Sequence, residues 1–159
     1  MKKKKSTIIL ISMLLLLTMC FPLSVNAKTV KTKSYSANKV TAKQIVVELK
    51  KTFKIKKISM PAKSETMIGQ PNAYKTKTHF YDPKYPRMYC TVEVFEDTYD
   101  AAQRFSFIQS LGQLYDLFGL VKENPTQVCR YKNVVIRFND DVPTKRIARY
   151  YKVLKKIVK

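Results

Sequence analysis

The chain has 159 residues, with 31 Lys+Arg against 11 Asp+Glu, 45% hydrophobic residues, three glycines and one histidine. That balance excludes a disordered polyampholyte, and the length suits one domain rather than two. Three glycines argue against a Gly-rich phosphate loop, and a single histidine removes most multi-histidine metal centres.

Lys2 to Lys5 open the chain with positive charge, and Ile8 to Leu17 follow as an apolar run broken only by Ser12. Pro22, Ser24 and Val25-Asn26-Ala27 then supply a helix breaker and small residues at a cleavage site. This order predicts an export signal over 1–27, with the mature protein starting at Lys28 in a secreted or envelope-associated, extracellular location. Two alternatives stand beside it. Thr7 to Leu23 is 17 residues, the lower limit for an uncleaved anchor. Leu17-Thr18-Met19-Cys20 sits where a bacterial lipobox would, which makes Cys20 a candidate for lipidation, although Met19 stands where that motif has a small residue. The mature chain keeps two cysteines, Cys90 and Cys129, and an even pair in an oxidising compartment predicts a disulfide.

Residues 28–39 are basic, polar and aperiodic, so they read as a flexible lead-in. A single domain is expected over 40–159. Thr41 and Gln44 have capping-box spacing, and Ile45, Leu49 and Phe53 form one apolar stripe, predicting a helix that ends near Lys54. Ile55 to Met60 reads as a short strand and Pro61 to Pro71 as a loop. Tyr74, Thr76, Thr78 and Phe80 alternate with polar residues as in a half-exposed strand. After an Asp82–Pro86 turn, Tyr89 to Glu96 predicts a strand with Cys90, Val92 and Val94 on one face. Asp97 or Thr98 caps a second helix carrying Ala101, Phe105, Ile108 and Leu111 at helical spacing. Gln127–Tyr131 and Val134–Phe138 flank a Lys132-Asn133 hairpin turn. Pro143 is expected at the first position of a last helix. The order predicts an α+β fold: an antiparallel sheet of about four to five strands covered by about three helices.

Met67-Ile68-Gly69-Gln70-Pro71, followed by Tyr74, Lys77, Phe80 and Asp82, resembles a segment of small exported or lipid-anchored proteins of Gram-positive bacteria. Val92-Glu93-Val94-Phe95, Ala101, Arg104, Tyr131, Asn133 to Arg137, Pro143, Ala148 and Tyr150 continue the likeness in order. It implies the same compartment and fold. That group carries no assigned activity, so the resemblance transfers no catalytic residue, and Cys90 and Cys129 depart from its pattern.

Chemistry is sparsely signalled. His79 is the one histidine available as a base, but a histidine between threonines on a lysine-rich strand reads as a solvated surface residue. Glu93, Glu96, Asp97 and Asp100 cluster where a helix begins, and acids there complement its dipole, as Asp140-Asp141 do before the last helix. Glu93 and Arg104 are expected to form a structural ion pair, and Arg137 to lie on the open face of the sheet. No enzyme activity, cofactor or metal is expected.

Charge is the most informative feature. Residues 28–63 are net +10, residues 64–142 net −1 and residues 143–159 net +7. In the last helix Ile147, Tyr150, Tyr151, Leu154, Ile157 and Val158 form an apolar stripe, with Lys145, Arg146, Arg149, Lys152, Lys155 and Lys156 around it. Lys43, Lys50, Lys51 and Lys54 decorate the first helix in the same way. These basic residues are the expected contact surface for an anionic envelope polymer or membrane surface, or for nucleic acid bound non-specifically. The alternative is a secreted protein-interaction or inhibitory module that meets an unidentified protein partner through the neutral middle of the chain.

Overall fold

A computed structural model describes residues 32–59, 74–117 and 127–159. They form α1 (Ala42–Phe53), β1 (Ile58–Ser59), β2 (Thr76–Asp82), β3 (Tyr85–Val94), α2 (Thr98–Leu117), β4 (Val128–Tyr131), β5 (Val134–Arg137) and α3 (Thr144–Ile157). The strands make one antiparallel sheet in the order β1-β2-β3-β5-β4, so the domain is α+β with helices on a five-stranded sheet. The expected export signal, Cys20 and the Pro61–Pro71 loop lie outside the described residues. Among those described, no helix is long and apolar enough to cross a membrane.

Strand pairing fixes which side chains share a face. Thr78 pairs with Val92 and Phe80 with Cys90, while Lys77 pairs with Glu93 and His79 with Thr91. Alternation puts the first two pairs on one face and the second two on the other. On the first face Val92, Val94, Val134, Ile136 and Phe80 join the buried stripes of α1 (Ile45, Leu49, Phe53) and α3 (Tyr150, Leu154, Ile157) in the main core. On the second face Phe95 and Val135 pack with Ala101 and Ile108 of α2 in a smaller cluster. The sheet is thus sandwiched between two helices on one side and one on the other.

Local chemistry sets the element ends. The capping box forms at Thr41: its Oγ1 accepts from Gln44 N at 3.3 Å, and Gln44 Oε1 accepts from Thr41 N at 2.8 Å. Lys54 ends α1 in the left-handed region at φ 56°. Lys132 takes φ 51° in the β4–β5 turn, and Asn133 Nδ2 donates to Ala37 O and Phe95 O, tying that turn to two other segments.

Three expectations need correction. β3 starts at Tyr85, not Tyr89, because only Pro83 and Lys84 separate the paired residues Asp82 and Tyr85. Pro86 is tolerated there because β5 reaches no further along β3 than Thr91, leaving that stretch at an edge. Pro143 is the N-cap of α3 and not its first helical residue; its extended ψ of 150° turns the chain into the helix at Thr144. The lead-in is not free throughout. Tyr35 pairs in parallel with Val158, donating to Ile157 O at 2.6 Å and accepting from Lys159 N at 2.9 Å, and Ala37 N donates to Lys159 O at 3.1 Å.

Candidate functional site

α1 and α3 lie antiparallel on the same face of the sheet. Phe53, at the C-terminal end of α1, stacks on Tyr150 in the first half of α3 with ring centroids 3.7 Å apart. The segment entering α1 meets the C-terminal end of α3 through the Tyr35–Val158 bridge. Because both helices bury their apolar stripes in one core, their outward rows share one surface. Lys43, Lys50, Lys51 and Lys54 are exposed on α1 and its cap, and Lys145, Arg149, Lys152, Lys155 and Lys156 on α3. α3 has no acidic residue, and α1 has one, Glu48.

Glu48 does not cancel this field from outside, because it is buried. Its carboxylate accepts from Lys51 Nζ at 2.7 Å and from Lys33 N at 2.9 Å. Burial pushes the carboxyl up, but these hydrogen bonds and the lysine charges outweigh it and hold the group below its ordinary value. Lys51 is therefore partly neutralised, whereas Lys43, Lys50, Lys152, Lys155 and Lys156 have no carboxylate among the described residues within ion-pair reach.

Arg146 is the one residue of the expected contact surface that the structure removes from it. It is 9% exposed, and its Nε donates to Asp82 Oδ2 at 2.6 Å. Phe53, Tyr85 and Tyr150 surround its guanidinium at 5.3, 5.9 and 5.7 Å. Position 146 lies one turn before Tyr150 and shares its inward face, so the side chain follows the stripe instead of the solvent. Tyr150 also donates to Asp82 Oδ2, at 2.7 Å, and Lys84 N donates to Oδ1 at 2.9 Å. Burial pushes the Asp82 carboxyl up, yet the Arg146, Tyr150 and Lys84 hydrogen bonds hold it below its usual value. Burial first, and then the bond to Asp82, push the Tyr150 phenol far above its usual range. A carboxylate so fully engaged, with a phenol locked as donor, fastens α3 to β2 and has no proton to trade.

The second buried charge cluster is on the opposite face. Arg104 grips Glu93 with Nε at 3.1 Å and Nη2 at 3.2 Å, which realises the expected ion pair in bidentate form. Arg137 was expected on the open face, but its Nη2 lies 3.1 Å from Glu93 Oε1, because Glu93 pairs with Val135 and Arg137 follows two residues along β5 on the same side. Asp97 Oδ1 accepts from Asp100 N at 2.8 Å, a capping contact at the start of α2.

The cysteines do not realise the expected disulfide. Both are free and buried. Cys129 pairs with Ile136 of β5, and β5 separates β4 from β3, so the two cysteine strands are two strand spacings apart, about 9.5 Å. A disulfide tolerates a Cα separation of about 7 Å at most. Burial pushes the Cys90 thiol up to about 11 and the Cys129 thiol up to about 12, so neither is a ready nucleophile. His79 cannot activate Cys90, since His79 pairs with Thr91 and Cys90 with Phe80 on opposite faces. Its Nδ1 lies 3.0 Å from Thr91 Oγ1, and its ring centroid 4.2 Å from that of Tyr89. Among the described residues no group of three His, Cys, Asp or Glu is placed to hold a metal ion.

No family model, curated protein or solved structure matches this chain.

Proposed function

We propose that this is an exported, non-enzymatic protein that attaches electrostatically, through the outer faces of α1 and α3, to an anionic polymer of the cell envelope. The observation that carries the reading is the placement of both basic helices on one face of the sheet, antiparallel and stacked at Phe53–Tyr150. Two cationic rows on one side add their fields, where rows on opposite sides would spread them. Each bound cation releases a condensed counterion, so attachment weakens steeply with salt.

The test is retention on heparin, on anionic lipid vesicles and on nucleic acid across a salt series. Strong retention on heparin that collapses with salt supports the reading. Preference for vesicles or for nucleic acid moves the assignment to a lipid surface or to that polymer. A second reading, a protein-interaction module, rests on Met88 and Tyr89, which are 56% and 47% exposed on β3. Salt-insensitive capture of a single protein would favour it.

A further inference from the structure

Just beyond the C-terminal end of α1, Lys56, Lys57, Tyr81, Asp82, Pro83 and Pro86 line a pocket of about 360 Å³. That volume falls at the low end of the range of small-ligand sites. The register between β2 and β3 slips between Phe80 and Asp82, which leaves Tyr81 outside the ladder beside the pocket. Tyr81, Pro83 and Pro86 present flat apolar surfaces. Lys57 Nζ sits 4.8 Å from the Tyr81 ring centroid, so its ammonium is held at the wall instead of ranging through solvent. Asp82 is fully buried, and Arg146, Tyr150 and the Lys84 N–H engage its carboxylate. The charge left for a ligand is that of Lys56 and Lys57, neither of which is in an ion pair among the described residues.

We infer that this pocket binds one acidic or phosphorylated sugar unit, with its ring against Tyr81, Pro83 and Pro86 and its anionic group at Lys56 and Lys57. The inference rests on the polyanion reading and deepens it. The helices supply range and strength regardless of sequence along the polymer, and the pocket selects the repeating unit. The division follows from chemistry: exposed helix lysines read charge alone, whereas a walled pocket also reads shape.

The test titrates the purified full chain with glucose 6-phosphate, inorganic phosphate and glucose, followed by amide chemical shifts. Glucose 6-phosphate should shift Lys57, Tyr81 and Asp82 and bind more tightly than inorganic phosphate, and glucose should bind most weakly. Tyr81→Ala should weaken glucose 6-phosphate by about fivefold or more, as truncating an aromatic anchor does, without altering the salt at which heparin releases the protein. A Lys56→Gln/Lys57→Gln variant changes only exposed side chains and should abolish the preference for the charged sugar. Equal binding of inorganic phosphate and glucose 6-phosphate, or shifts that avoid the pocket, would overturn the inference. A Lys152→Gln/Lys155→Gln/Lys156→Gln variant separates the two readings. Weakened heparin retention with a silent pocket sinks only the pocket, and unchanged retention sinks the polyanion reading itself.

Discussion

Asp82 ties three parts of the chain together, since it joins β2 to two side chains of α3 and to the turn after it. Asp82→Asn would leave Arg146 as an unbalanced cation beneath Phe53 and Tyr150. The expected cost is about 3 kcal/mol, measurable as a lower midpoint in urea with an unchanged slope. The pH dependence follows from the two lowered carboxyls. Asp82 and Glu48 both titrate below their ordinary values of 3.8 and 4.5 in the folded protein. Their contribution is therefore complete above those values and disappears as pH falls through the lowered ones. An Asp82→Asn/Glu48→Gln variant should show a flatter acid limb of stability against pH than the parent; an identical limb would show that other carboxylates govern it. The cysteines give a separate test. Without reductant, native protein starting at Lys28 should resist alkylation, and once denatured it should take up two labels, at Cys90 and Cys129. Denatured protein that takes up none would reinstate the disulfide.

At the scale of the element, α3 carries an inward row that holds the fold and an outward basic row exposed to solvent. Replacing Lys152, Lys155 and Lys156 with glutamine leaves Tyr150, Leu154 and Ile157 in the core. Thermal stability should stay within about 0.5 kcal/mol of the parent, while heparin retention falls and its dependence on log salt becomes shallower. The elements are largely legible in the sequence. Ile45, Leu49 and Phe53 declare a helix by spacing, Thr41 and Gln44 declare its start, and Lys132-Asn133 declares a turn. What spacing could not convey was how distant segments combine. The inward turn of Arg146 depends on Asp82, 64 positions away, and an arginine on a basic helix reads as solvated until its partner is seen. The disulfide failed for a related reason. Evenness and compartment say nothing of strand order, and the intervening β5 decides the matter. Tyr35, the one aromatic in the 28–39 run, is the sign in the sequence that the lead-in docks.

For the molecule as a whole, charge and core are partitioned by layer. The neutral middle of the sequence supplies β2 to β5 and α2, and within it Arg104 and Arg137 both pair with the buried Glu93. The basic ends of the sequence supply α1 and α3, which meet on the other face. Net charge on this scale opposes compaction through self-repulsion. The protein should therefore be more stable in moderate salt than in very low salt. Chemical unfolding in urea, which carries no charge, at two salt concentrations would check this: a lower midpoint at higher salt would show that helix-layer repulsion is negligible.

The Tyr35–Val158 pairing has a mechanical consequence. Because the two segments run parallel, tension applied through residues before Tyr35 and through Lys159 pulls them past each other lengthwise. The bonds from Tyr35 N, Lys159 N and Ala37 N then bear the load together, whereas an antiparallel pair pulled from the same two ends would open one bond at a time. Forced rupture is governed by the barrier to unfolding rather than by equilibrium stability. Stretched by its ends in a single-molecule experiment, the domain should yield at a higher force than when it is held from Tyr35 and pulled at the Pro83–Lys84 turn. Tyr35→Pro, which removes the donor to Ile157, should lower only the first of these forces.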